Sequence, residues 1–167
     1  MASIFDTIRK SAGDKEKSVN WYRSKVRQLA SRISSAKLMR QGNVVARPRL
    51  FDFCMFSYDP KLKRKLPYYD RFPLVFIIEL YEDGFLGMNF HYLPYNLRAR
   101  LLEELDNRNF RRNYSQLKRI KLIRPTIKRY LRAHYRSGFM RLEKDDYIPA
   151  IFMPVAKFEK ASESKVF

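Results

Sequence analysis

The sequence predicts an α+β fold: a small curled antiparallel sheet of SH3-like barrel form, with a helical insertion and an N-terminal amphipathic helix. A plain α+β layer is the alternative. Three observations predict it. An apolar stripe at helical spacing runs through residues 17–41. Aromatic and β-branched runs fill residues 47–93 and are joined by an Asp-Gly turn. A helix-like stretch then separates these runs from a late apolar one at 151–158. At 167 residues, with 46% hydrophobic and 15% aromatic residues, the chain has material for a true core and is not a disordered basic tail.

Residues 1–46 read as an arm and a basic helix, and residues 47–167 as the α+β domain. In the arm, Asp6 is a cap candidate, but Gly13 and the charges of Asp14, Lys15 and Glu16 favour a linker over residues 1–16. One helix is expected over residues 17–41. Ser18 is its N-cap and Gly42 its stop. Tyr22, Val26, Leu29, Ile33 and Ala36 step by four and three, which makes one apolar face. Arg23, Lys25, Arg27, Arg32, Lys37 and Arg40 cover the rest, and no acid occurs from Lys17 to Phe51.

In the second part, Leu50–Tyr58 and Leu74–Tyr81 read as strands. Lys61 to Lys65 is a basic loop. Glu82-Asp83-Gly84 is a hairpin turn leading into a strand over Phe85–Leu93. Cys54, between Phe53 and Met55, reads as an inert buried thiol. It has no partner for an internal disulfide, which fits a reducing compartment. The insertion, about residues 94–142, is expected to hold helices at Tyr95–Leu105, at Tyr114–Ile123 and from Pro125 to Gly138. In the last of these, Lys128, Arg132 and Arg136 would form one cationic stripe beside an apolar stripe of Ile127, Leu131 and Tyr135. A final strand is expected at Ile151–Phe158.

Charge is the chief functional signal. The chain carries a formal charge of +18. From Asn107 to Leu142 it has twelve Lys and Arg and no Asp or Glu. Acids that bracket the segment (Glu103, Glu104, Asp106, Glu143, Asp145 and Asp146) are too few to neutralise it even if all fold back. Such a concentration points to a polyanion, by default nucleic acid. Arg111, Arg112, Lys118, Arg119, Lys121, Arg124, Lys128, Arg129, Arg132 and Arg136 are the candidate nucleic-acid contacts. These contacts would be mostly to phosphate, tolerant of sequence and strongly salt-dependent. The interleaved Tyr130, Tyr135 and Phe139 read as core rather than as base-stacking platforms.

No catalytic, metal or cofactor site is expected. His91 and His134 stand alone, without the clustered ligands of a metal centre. Asp70, Glu79 and Asp83 are the only acids of the strand region to weigh for a magnesium nuclease. The glycines at 84 and 87 lack the rest of a phosphate-binding loop. The segment LPYYDRFPLVF at 66–76 reads as a rigid turn entering a strand, with Asp70 pairing with Arg71 or capping backbone amides. A docking surface is the alternative use of it. The apolar stretch Phe72 to Ile78 is far short of a membrane span, and no signal peptide stands at the start. A protein that stays inside the cell that makes it is the expectation.

FSYDPK at 56–61, LPYYDRFPLVF at 66–76, GFLGMNFHYLP at 84–94, RPTIKRYLRAHYRSGFM at 124–140 and AIFMPVAKFEKA at 150–161 carry a resemblance. They resemble a family of small basic proteins of tailed bacteriophages related to the T4-like myoviruses. That resemblance implies a non-enzymatic protein of DNA-end-protecting or head–tail structural type. It acts in the host cytoplasm during infection or within the virion. Its partner would be DNA or, for a head, neck or baseplate subunit, acidic virion proteins.

Overall fold

Ser3 and Asp6 start the first helix by bonding each other's backbone. The Ser3 hydroxyl accepts from the Asp6 amide, and the Asp6 carboxylate accepts from the Ser3 amide, both at 3.0 Å. The computed structural model describes residues 2–107 and 114–166. This capping box converts the expected linker into α1, Ile4–Ala12, which ends at Gly13 with φ 63°. Ile4, Phe5 and Ile8 go into the core.

The long helix expected over 17–41 is two helices with a break. The Ser18 hydroxyl caps α2, Val19–Leu29, as predicted. A 3-10 turn at Ala30–Arg32 follows, and Ser34 then caps a new helix, α3, Ser35–Gln41. Gly42 closes α3 as expected, its amide bonding the Leu38 carbonyl at 2.8 Å.

The main sheet has six antiparallel strands. β1 is Asn43–Val45 and β2 is Phe53–Met55. The two-residue β3, Tyr69–Asp70, belongs to a second sheet. β4, Leu74–Tyr81, and β5, Gly84–Asn89, form the hairpin that the Asp-Gly turn predicts, with Tyr81 opposite Gly84. A side chain at Gly84 would collide with the Tyr130 carbonyl, so the position accepts only glycine. Then come α4, Tyr95–Asn107, as expected after Pro94, and α5, Tyr114–Leu117. α5 is a single turn where a helix to Ile123 is expected.

The largest correction lies at residues 125–138. The basic helix is absent there: a 3-10 turn at Arg124–Thr126 leads into β6, Ile127–Leu131, and a second such turn at Arg132–His134 follows. The i, i+4, i+8 cationic stripe of Lys128, Arg132 and Arg136 therefore does not exist as a helix face. β6 pairs with β5 from Gly84 opposite Leu131 to Met88 opposite Ile127. β7, Phe139–Arg141, inserts between β1 and β2, giving the order β1-β7-β2-β4-β5-β6. The late strand is corrected too. Only its first two residues, Ile151 and Phe152, are helical, as the end of α6, Tyr147–Phe152; residues 153–157 are irregular, and only β8, Phe158–Glu159, is extended, pairing with β3. A short turn, α7, spans Glu163–Val166.

The sheet is mixed with helices in an α+β fold, but its end strands β1 and β6 do not meet, so it is no closed barrel. Strand alternation divides two cores. Phe53, Met55, Leu74 and Met88 face a large cluster with Ile8, Val26, Leu101, Ile151 and Met153 from the helices and the chain after α6. Cys54, Val75, Ile77 and Phe85 face a smaller one, closed over by Phe56, Tyr58, Tyr130 and Phe139. Tyr130 and Phe139 are thus core, as expected, although they are on strands. Cys54 is fully buried, and burial raises its thiol pKa far above the ordinary value.

Arg98 of α4 anchors the helical side. Its guanidinium is fully buried and donates to the carbonyls of Leu93, Ile151 and His91 at 2.7, 3.1 and 3.3 Å. The charge lies 4.4 Å from the Tyr95 ring centre. One side chain so ties α4, α6 and the turn after β5.

Candidate nucleic-acid interface

The chain brings together two basic segments that are far apart in sequence. The first is the loop from Pro60 to Leu66. Amides of Lys63, Lys65 and Leu66 bond carbonyls of Pro60 and Leu62, which winds the loop into tight turns. Lys160, just after β8, closes it. Its ammonium donates to the carbonyls of Lys63, Arg64 and Leu66. Three carbonyls converging on one cation fix the loop's course and turn Lys61, Arg64 and Lys65 outward, where all three are exposed. Among the described residues no carboxylate lies within salt-bridge distance of these three.

The second segment is β6 with its flanking turns. Between it and the loop lies an apolar slot of about 300 Å³. The loop lines it with Pro60, Lys61, Leu62 and Leu66, β6 with Lys128 to Leu131, and Tyr58, Tyr69, Asp70 and Tyr92 complete the lining. The Lys128 ammonium lies 4.0 Å from the centre of the Tyr92 ring. Burial in this position lowers the lysine's pKa. Next to the slot is a polar cleft of about 490 Å³ that shares Tyr58 and Tyr69 with it. Lys63, Arg71, Arg136 and Lys157 line this cleft with Asp59 and Glu159, so cations exceed acids by four to two. Asp59 bonds Lys63 at 2.9 Å and lies 3.6 Å from Arg136, and Glu159 bonds Arg71 at 2.8 Å. Exposed Lys157 has no carboxylate within reach among the described residues.

Beneath the slot a buried polar network holds its shape. Asp70 accepts from the Phe72 amide at 3.0 Å, the Asn89 side chain at 2.9 Å and the Lys157 amide at 3.3 Å. Its second oxygen also meets His91 Nδ1 at 2.7 Å. Burial works against the charge, but His91 and these donors outweigh it and hold the carboxyl below its ordinary range. An ionised carboxylate only accepts, so the His91 proton sits on Nδ1. Asp70 caps amides as expected. Arg71, its other expected partner, pairs with Glu159 instead.

The sequence-derived candidates separate into groups. Arg111 and Arg112 lie outside the described residues. Lys118, Arg119 and Lys121 are exposed around and after the short α5. Arg124 is exposed and donates to the Lys118 carbonyl at 2.8 Å. Lys128 is half-buried at the slot. Arg129 pairs with Asp83 and lies 4.0 Å from the Tyr81 ring centre. Arg132 is exposed, and no carboxylate of the described residues is within salt-bridge distance of it, of Arg119 or of Lys121. Arg136 lines the polar cleft. Acids distant in sequence reach this region: Asp83 at Arg129, Asp59 beside Arg136, Asp52 at 3.0 Å from Arg141, and Glu159 in the cleft. Asp146, one of the six acids that bracket the basic segment, bonds Arg9 at 3.0 Å. Sequence reasoning missed Lys61, Lys63, Arg71 and Lys157 as parts of the same face. The basic loop was visible, but its position beside β6 depends on tertiary contacts.

Glu79 is exposed and Asp83 sits at the hairpin tip. Among the described residues no three His, Cys, Asp or Glu side chains are placed to share a metal ion. No described helix is long and apolar enough to cross a membrane.

Comparison with known proteins gives one family. The family described as phage T4 terminal DNA protecting protein matches residues 2–167. No curated protein and no solved structure matches the chain. The match takes in α1, both basic segments and the turns after β8, and the quoted phage-like blocks all fall inside it; the chain belongs to the phage T4 terminal DNA protecting protein family.

Proposed function

We infer that the protein binds the ends of phage DNA and shields them from exonucleases. The family match across residues 2–167 carries this reading. Two features support it. The formal charge of +18 is suited to a polyanion, and unpaired cations are displayed around two adjoining clefts. The role needs no bond to be made or broken, because a bound protein blocks an end by occupying it. Lys118, Arg119, Lys121, Arg124, Lys128, Arg129, Arg132 and Arg136 supply the phosphate contacts, joined by Lys61, Lys63, Arg71 and Lys157. Binding is sequence-tolerant and acts in the host cytoplasm during infection. Carriage in the virion fits the same role, since an end that enters a cell bare is open to attack at once.

The test is a digestion time course. Linear duplex is incubated with a processive exonuclease, with and without the protein, at several salt concentrations. The expected result is full-length DNA that persists with protein and is lost as salt rises. Digestion at the same rate in both samples at low salt overturns the proposal.

A further inference from the structure

We propose that the apolar slot and the polar cleft form one site that takes the terminal nucleotide of a DNA strand, the base in the slot and its phosphate in the cleft. This rests on the end-binding reading and adds how an end is told from the body of the duplex. The two cavities share Tyr58 and Tyr69 as a common wall, so a ligand with an apolar part and an anionic part spans both.

The division of labour follows from the linings. Pro60, Leu62 and Leu66 line the slot together with the rings of Tyr58, Tyr69 and Tyr92, which provides apolar and aromatic surface for a base. The slot surface is mainly apolar, whereas the cleft is lined mostly by polar and charged side chains, four cations to two acids, which suit a phosphate. Lys128, over the Tyr92 ring, belongs to the slot's own lining. An interior nucleotide reaches such a slot only by being unpaired and unstacked on both sides, at a cost of a few kcal/mol, whereas a terminal one has a single stacking neighbour. The slot therefore favours ends without reading sequence. Lys160 keeps the Leu62 wall in place through its three carbonyl bonds.

The experiment compares one duplex in two forms, with open ends and with both ends closed by hairpins, in competition binding to the full-length protein. The expected preference for open ends is about tenfold or more, the equivalent of one base stack. Leu62→Glu changes a side chain that is 54% exposed, so the fold is kept. It brings the two forms to equal affinity without weakening binding to the hairpin-closed form more than about threefold. Lys157→Glu, also exposed, reduces the preference for 5′-phosphorylated over unphosphorylated open ends. Deoxyadenosine monophosphate alone serves as the probe for a free-nucleotide site. Equal wild-type affinity for open and closed forms overturns this proposal and leaves nuclease protection standing, and so does tight binding of the mononucleotide without end preference. A Leu62→Glu protein that keeps the full preference also overturns it. Absence of all DNA affinity in the wild type removes the end-binding reading itself.

Discussion

His91 Nδ1 lies 2.7 Å from the Asp70 carboxylate, with neither side chain more than 1% exposed. Asn89 and the amides of Phe72 and Lys157 complete the shell around the same carboxylate. Asp70→Ala removes the acceptor and leaves these buried donors without a partner. The expected loss of stability is about 3–5 kcal/mol, read from urea unfolding midpoints. Asp70→Asn retains one acceptor oxygen and loses less. A midpoint unchanged in the alanine variant would mean that the network contributes nothing.

Asp146 predicts a pH dependence of a particular sign. Burial pushes its carboxyl up to about 6, and Arg9 only partly counters this. A group whose folded pKa lies above the unfolded one binds more protons folded than unfolded between the two values. Its contribution is full below about 4 and falls as pH rises through about 6. Asp70, held low, acts in the opposite sense, and its contribution disappears only as pH falls through the acid range below about 4. Asp146→Asn should therefore flatten the decline in stability between pH 4 and about 6. Thermal melts at half-unit steps in matched ionic strength measure it.

Arg98 is a further buried ion, and three carbonyls are among its partners. Arg98→Met keeps most of the volume but leaves Leu93, Ile151 and His91 carbonyls short of a donor. A loss of about 3–5 kcal/mol is expected, with amide exchange accelerated more in α6 than in the sheet. Uniform loosening across all elements would place the effect in general packing instead.

Arg119, Lys121 and Arg132 are exposed and have no partnering carboxylate among the described residues. Reversing each to Glu should leave the melting temperature within a few degrees and weaken DNA binding at every sequence tested. The log–log salt slope should drop by about 0.9 for each position that meets a phosphate. Arg129→Glu is the contrast: it also breaks the Asp83 pair at the hairpin tip and costs some stability. Unaltered slopes in all three single variants would move the phosphate path off this segment.

Local chemistry was legible in the chain, and tertiary pairing was not. Asp83-Gly84 and Ser18 act through their own backbone neighbours, so the hairpin and the start of α2 could be read directly. Ser34 and the Ser3–Asp6 pair carry the same kind of signal, but an uninterrupted apolar stripe masked the first, and nearby charges and Gly13 masked the second. The segment from 127 to 136 misled for a geometric reason. A spacing of four puts residues on one side of a helix, but four is also a multiple of two, so the same spacing shares a face of a strand. Ile127 with Leu131 fits both. The run Ile151–Val155 is apolar throughout, and such a short run does not separate a buried helix from a buried strand. For the site, the excess of cations was visible from composition. Only the packing of the loop closed by Lys160 against β6 shows which of them share a cleft.

β7 lies between β1 and β2, yet it follows them by more than eighty residues in the chain. On the ribosome, the first two strands emerge with the place between them still empty, and nothing in the first four-fifths of the polypeptide fills it. Completion of the sheet awaits Phe139–Arg141, so the nascent protein displays bare strand edges and unburied aromatic rings for most of its synthesis. Truncated forms ending before that strand should thus collect as aggregates, and full-length folding should be slow and chaperone-assisted in the infected cell.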